Sequence, residues 1–73
     1  MKKEIYTIYL FDNKDEAFDS EFGTPKNLLK YIDEEPNRFN SNIAYDLEDS
    51  SGVCLECYAR IQDIIQRLKN LNK

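Results

Sequence analysis

The last fifteen residues, ARIQDIIQRLKNLNK, place apolar side chains at helical spacing with charged or amide side chains between them. A helix with such a stripe has to bury it against another layer of structure. At 73 residues the chain is expected to be one small domain, residues 1–73, so the preceding residues must supply that layer. The stripe consists of Ile61, Ile64, Ile65, Leu68 and Leu71.

Three segments upstream have the patterns of strands. Residues 4–11, EIYTIYLF, mix aromatic and β-branched residues and are apolar on both faces, which predicts a central strand. Residues 43–48 and 53–58 each alternate with period two on either side of a turn sequence, DSSG, at residues 49–52. Two alternating runs around a glycine-containing turn predict a β-hairpin.

A first helix is expected to begin at Thr24, which has the chemistry of an N-cap, with Pro25 at the first helical position. Leu28, Leu29 and Ile32 form its apolar side, and Pro36 should end it. Before this helix, residues 12–23 are expected to be an acidic connection, with a short helical turn at most, attached to the domain by Phe18 and Phe22.

These elements predict an α+β fold with the order β-α-β-β-α. The expected architecture is a three-stranded, mostly antiparallel sheet with both helices on one face, because one sheet can then cover both apolar stripes. One alternative stays open. Residues 54, 57, 61, 64, 68 and 71 form a heptad pattern, so residues 53–58 could instead begin one long C-terminal helix. The hairpin is favoured because it also explains the turn sequence.

The chain has two cysteines, Cys54 and Cys57, and they are expected to be reduced thiols in a cytoplasmic protein. In a regular strand, residues three apart point to opposite faces and lie about 10 Å apart. That separation exceeds the roughly 7 Å limit between Cα atoms for a disulfide. We therefore expect both cysteines to pack as small apolar residues, with a metal or thiol protein as the alternative.

Composition argues against an enzyme and against a cofactor or metal site. The chain contains no histidine, so the usual general base near neutral pH is absent. The acidic sequence DNKDEA at residues 12–17 lacks the glycine of a calcium-binding loop, and FGTPKN has too few glycines for a phosphate-binding loop. No catalytic, cofactor-binding or metal-binding residues are assigned.

Charge is distributed unevenly along the chain, whose formal net charge is −4. Residues 12–56 hold twelve acidic against four basic side chains, whereas the last helix is mildly basic. The negative balance argues against a nucleic-acid or membrane partner and favours a protein partner with a basic surface. The apolar run of residues 5–11 is also too short to span a bilayer. The candidate partner-binding residues are Asp46, Glu48, Glu56 and Tyr58 on the outer face of the hairpin, and Asp12, Asp15, Glu16, Asp19 and Glu21 in the first connection.

In size, acidity and lack of catalytic groups the chain resembles the small inhibitor proteins of bacteriophages and mobile elements, including anti-CRISPR proteins and other DNA mimics. That resemblance implies a non-enzymatic binding protein whose acidic face occupies a basic surface of a host or defence protein. The alternative is a small regulatory or structural module that dimerises or docks through its C-terminal helix. Whether the chain is a monomer or a dimer does not follow from its sequence.

Overall fold

The structure, a computed structural model, describes residues 4–12 and 16–72. It has the α+β class that the sequence predicts, with four antiparallel strands in the order β2-β1-β3-β4. The elements in chain order are β1 (Tyr6–Phe11), β2 (Asp19–Gly23), α1 (Pro25–Glu34), β3 (Ala44–Glu48), β4 (Cys54–Ala59) and α2 (Ile61–Leu71).

The prediction of three strands is wrong, because part of the expected acidic connection forms the edge strand β2. Its sequence, DSEFG, is polar and contains a glycine, so propensity does not predict a strand there. Pairing with β1 stabilises the extended conformation of this segment, with Thr7 opposite Phe22 and Tyr9 opposite Ser20. A central strand offers free backbone donors and acceptors on both sides, and a neighbouring segment that satisfies them becomes part of the sheet.

The central position of β1 is confirmed, since it pairs with β2 on one side and β3 on the other. Its side chains alternate between two environments. Tyr6, Ile8 and Leu10 are buried, whereas Thr7, Tyr9 and Phe11 on the opposite side are half-buried. One face of the sheet is therefore covered, and the other is not.

The predicted start and end of α1 are confirmed. Thr24 Oγ1 accepts a hydrogen bond from the backbone N–H of Asn27 at 3.2 Å, which satisfies one donor at the start of the helix. Pro25 occupies the first helical turn, and the helix ends at Glu34, two residues before Pro36. Leu28 is fully buried in the core.

The hairpin prediction is confirmed, and the long C-terminal helix is wrong, because residues 54–59 form β4. Asp49 holds the turn: its Oδ1 accepts hydrogen bonds from the backbone N–H groups of Ser51 and Val53, at 2.8 and 3.0 Å. Gly52 has φ +85°, a conformation that a residue without a Cβ adopts at little cost. The heptad spacing of Cys54 and Cys57 with the α2 stripe is thus coincidental.

One hydrophobic core lies between the sheet and the two helices. Ile64 and Leu68 from α2 and Leu28 from α1 are fully buried against the covered face of β1 and β3. Both helices therefore lie on the same side of the sheet, as predicted. Among the described residues, no helix has the length and apolarity needed to cross a membrane.

Tyr45 of β3 joins this core to the connection that follows α1. Its ring is fully buried and stacks on Phe39, with centroids 5.9 Å apart. Its hydroxyl accepts a hydrogen bond from the backbone N–H of Asn40 at 2.8 Å and donates to the carbonyl of Arg38 at 3.0 Å. A buried hydroxyl needs such partners, and here they fix the path of the connection.

The packing of α2 in the core predicts how substitutions in this helix change the free energy of unfolding. Replacing fully buried Ile64 or Leu68 with alanine should lower the free energy of unfolding by about 2–5 kcal/mol, since each change leaves a cavity in a small core. Chemical denaturation followed by circular dichroism measures this. Gln66→Ala is the matched control, because Gln66 is exposed on the same helix. A loss of only a few tenths of a kcal/mol at Ile64 or Leu68 would contradict the two-layer architecture.

Candidate functional site

The side of the sheet away from the helices forms a continuous surface, which we call the open face. Residues directly opposite each other in neighbouring strands point to the same side of a sheet, so the strand register identifies its members. The register gives Thr7, Tyr9 and Phe11 of β1, Ser20 and Phe22 of β2, Ala44, Asp46 and Glu48 of β3, and Cys54 of β4. Cys57 and Tyr58 join this face through their contacts with Cys54 and Phe11, and Phe18, just before β2, follows by alternation from Ser20.

Three aromatic side chains on the open face are largely exposed: Phe18 is 53% exposed, Phe22 67% and Tyr58 55%. The expectation that Phe18 and Phe22 attach the first connection to the core is therefore wrong. Strand alternation explains the difference, because Asp19 and Glu21 take the side facing the helices and leave both phenylalanines outside. Apolar exposure of this kind on one face is typical of an interaction surface.

Tyr58 lies near the end of β4 on the open face, and two contacts fix its position. Its ring packs edge to face on Phe11, with centroids 5.6 Å apart. Its backbone N–H donates to Asp46 Oδ1 at 2.6 Å. With φ +50°, Tyr58 has a left-handed backbone conformation that costs energy for a residue with a side chain. The hydrogen bond that Tyr58 donates to Asp46 and the contact with Phe11 offset that cost.

The strained backbone belongs to an irregular strand. β4 contains two register shifts against β3, so that Cys57 and Tyr58 together lie between the pairs formed by Leu47 and Tyr45. A β-bulge of this kind adds one residue to a strand and turns the following side chains. Regular alternation, which the sequence suggested for residues 53–58, therefore fails here.

The predicted acidic surface is only partly assembled. Asp46 and Glu48 are half-buried on the open face, as expected, and Asp46 accepts the backbone hydrogen bond of Tyr58. No basic side chain lies among the open-face residues that the structure describes. These two carboxylates therefore give the aromatic surface a negative charge.

The placement of Glu56 on the outer face is wrong. It lies opposite Leu47 on the covered side of the sheet, because the bulges shift the register of β4. Its Oε2 atom is 2.9 Å from Nε of Arg67 on α2, and the same guanidinium donates to the carbonyl of Leu55 at 3.2 Å. Glu56 thus joins α2 to the edge of the sheet and is not part of the open face.

Asp19 and Glu21 are also engaged within the fold. Arg38, in the connection after α1, contacts Asp19 at 2.9 Å, Glu21 at 3.0 Å and Glu35 at 2.7 Å. Hydrogen bonding to Glu35 is the largest cause that raises the pKa of Arg38, which stays charged. This arginine links β2 to the end of α1, and nothing in the sequence pattern singled it out.

The remaining acids of the first connection are spread out. Asp12 and Glu16 are exposed, and Asp15 lies outside the described residues. The structure therefore brings Asp46, Glu48 and Tyr58 together and separates them from Glu56, Asp19 and Glu21. The aromatic members Phe18 and Phe22 were missed as site residues, although their spacing of four places them on one face of a strand.

Opposite faces were also predicted for Cys54 and Cys57, and that placement is wrong. Both thiols are free and lie on the open face, with their Sγ atoms 2.6 Å apart. The extra residues in β4 cause this, since Cys54 lies opposite Glu48 and Cys57 falls within the bulge opposite Asp46. Within the part of the chain that the structure describes, no group of three or more histidine, cysteine or carboxylate side chains could hold a metal ion.

A concave surface lies between the helices, on the side of the molecule away from the open face. It is a shallow groove of about 500 Å³ with an apolar floor and two charged side chains, Asp33 and Lys69, at its margin. The floor consists of Leu29, Ile32, Phe39, Ile61 and Ile65. The groove lacks the exposed aromatic rings of the open face.

No protein-family model, curated protein or solved structure matches the chain. The fold and the site define a small α+β protein with one sheet face covered by two helices and the other left open, aromatic and acidic.

The contacts of Arg38 can be tested by removing its charge. Arg38→Met should lower the free energy of unfolding by about 1 kcal/mol, because it leaves three neighbouring carboxylates without their cation. The loss should shrink in high salt, which screens the repulsion between them. Urea denaturation at low and high salt measures both effects. Lys30→Met, at an exposed position on α1, is the control, and equal losses for the two variants would contradict a specific role for Arg38.

Proposed function

We propose that this chain is a non-enzymatic protein-binding module whose open face occupies an apolar and basic surface of a partner protein. The observation that carries the proposal is the group of three exposed aromatic rings, Phe18, Phe22 and Tyr58, on the same sheet face as Asp46 and Glu48. Each of these residues is more than half exposed, so most of its apolar surface contributes nothing to the core.

Aromatic side chains are enriched in the centres of protein interfaces, where they bury a large area at little cost in conformational entropy. Phe22 lies on β2 and Tyr58 on β4, and pairing with β1 and β3 holds these strands in the sheet, so the backbone of both residues is already ordered. A rigid surface loses less entropy on association than a flexible loop does. The open face therefore suits a preformed contact with a partner.

Charge determines which partner fits. Asp46 and Glu48 give the open face two carboxylates without a described base on the same face, and the whole chain has a formal net charge of −4. A basic surface on the partner would raise the rate of association and exclude acidic competitors. This chemistry suits a small inhibitor protein that a phage or mobile element encodes. Such an inhibitor would cover a basic region of a host or defence protein.

The internal ion pairs favour an interface of aromatic and acidic side chains over mimicry of nucleic acid. Mimicry needs many free charges, since phosphate contacts supply most of the affinity for nucleic acid. Asp19 and Glu21 share Arg38, and Glu56 is paired with Arg67. Three of the acidic candidates thus form ion pairs within the fold, whereas the three aromatic side chains stay exposed.

The proposal is tested by capture of the partner with the parent chain and with variants of the open face. Phe18→Ser with Phe22→Ser removes two rings, and Tyr58→Asn removes the third while keeping a residue that tolerates a left-handed backbone. Affinity for the captured partner should fall at least about tenfold for each variant if these rings lie in the interface. Glu48→Gln should weaken binding less, and more at low salt than at high salt.

The matched control is Lys30→Ser with Asp33→Ser, which changes two exposed residues on α1 and leaves the net charge unchanged. This variant should bind the partner like the parent. Unfolding midpoints of all variants establish that each remains folded. Wild-type affinity in both aromatic variants, with loss in the α1 control, would place the interface on the helices and contradict the proposal.

The groove between α1 and α2 supports a second candidate, a module that dimerises through its helices. Ile64 and Leu68 of the α2 stripe are already fully buried in the core, so this contact would rely on Ile61 and Ile65 at the groove. Sedimentation equilibrium at micromolar concentration discriminates between the two candidates. A dimer that Ile65→Asp dissociates, while the fold persists, would favour the helical interface.

A further inference from the structure

The two cysteines have a geometry that neither packing nor binding requires. Their Sγ atoms are 2.6 Å apart, roughly half an ångström longer than a disulfide bond of about 2.05 Å. Both thiols are free. The two sulfurs would have to approach by only about half an ångström to reach that bond length.

The surrounding strand fixes this proximity. Cys54 lies opposite Glu48, and Cys57 shares the bulge with Tyr58, whose backbone is held by Asp46 Oδ1. The bulge therefore places on one face two residues that a regular strand would separate. A packing role does not explain the arrangement, since Cys57 is exposed.

The two thiols differ in exposure and in hydrogen bonding. Cys57 is exposed, whereas Cys54 is half-buried and its Sγ lies 3.1 Å from the carbonyl oxygen of Glu56, to which the thiol donates. Burial, together with a hydrogen bond from Cys57 and the charges of Asp46 and Glu48, raises the pKa of Cys54 to about 12. The thiolate is the reactive form of cysteine, and the raised pKa of Cys54 disfavours its thiolate. Cys57, which is exposed, is therefore the residue that reacts first with an external oxidant.

We propose that Cys54 and Cys57 form a thiol–disulfide site, which a low-molecular-weight disulfide such as oxidised glutathione converts to an intramolecular disulfide. The geometry of the bulge carries this inference, and it does not depend on the proposed binding function.

The exchange proceeds in two balanced steps. The Cys57 thiol loses its proton to solvent, and its sulfur attacks one sulfur of the oxidised glutathione. The glutathione disulfide breaks, one glutathione leaves as a thiolate and takes up a proton, and a mixed disulfide remains on Cys57. Cys54 then loses its proton and attacks the Cys57 sulfur, which expels the second glutathione. The protein dithiol is oxidised by two electrons, and one oxidised glutathione becomes two reduced molecules.

The test equilibrates the reduced chain with mixtures of reduced and oxidised glutathione in the absence of oxygen. Acid quenching and mass spectrometry then count each species. The folded chain should lose two hydrogen atoms and accumulate no mixed disulfide. Its equilibrium constant for closing the disulfide should exceed that of the chain unfolded in urea by at least about tenfold, because the unfolded chain must first bring the sulfurs together.

Two conservative variants assign the roles of the sulfurs. Cys54→Ser should retain one glutathione on Cys57, since no second thiol can expel it, and Cys57→Ser should react much more slowly because its remaining thiol is half-buried. Circular dichroism confirms that each variant is folded. A parent chain that stops at the mixed disulfide, or an equilibrium constant no larger when folded than when unfolded, would overturn the proposal.

Discussion

The structure depends on the burial of one sheet face by two helices. Four strands offer two faces, and α1 and α2 with their short connections cover only one of them. Leu28, Ile64 and Leu68 fill the covered side, and their burial is the main favourable term in a domain of this size. The open face exists because the described chain has no third layer to place on it.

The bulges in β4 determine what the open face contains. They turn Glu56 toward α2, where it pairs with Arg67, and they leave Cys57 and Tyr58 outside. They also bring Cys57 to the thiol of Cys54. The bulges thus join the sheet edge to α2, place Tyr58 on the open face and build the cysteine pair. A bulge at an edge strand also discourages pairing with another chain, so the same feature protects an exposed edge.

Local signals in the sequence were sufficient for the helices and the hairpin. Thr24 and Pro25 have the chemistry of a helix start, and the turn at residues 49–52 contains the aspartate and glycine that close it. The edge strand β2 could not be predicted from its own residues, since DSEFG becomes a strand only by pairing with β1. Its neighbours in space, rather than in sequence, determine its conformation.

The candidate site was predictable only in part for the same reason. Alternation in the hairpin predicts the placement of Asp46, Glu48 and Tyr58 on the open face. The exclusion of Glu56 from that face and the proximity of the two cysteines depend on register shifts, which leave no pattern in residues 53–58. Phe18 and Phe22 were misassigned because two phenylalanines four apart suggest an anchor to the core. Their exposure becomes clear only once residues 19–23 are known to be a strand.

The central claim is that the open face is the surface a partner covers. Hydroxyl-radical footprinting of the chain, alone and in complex with its captured partner, measures this directly, since radicals oxidise aromatic side chains in proportion to their exposure. The account predicts that oxidation of Phe18, Phe22 and Tyr58 falls strongly in the complex, while exposed side chains of α1 and α2 react as before. Unchanged oxidation of these three rings, with protection confined to the helices, would contradict it.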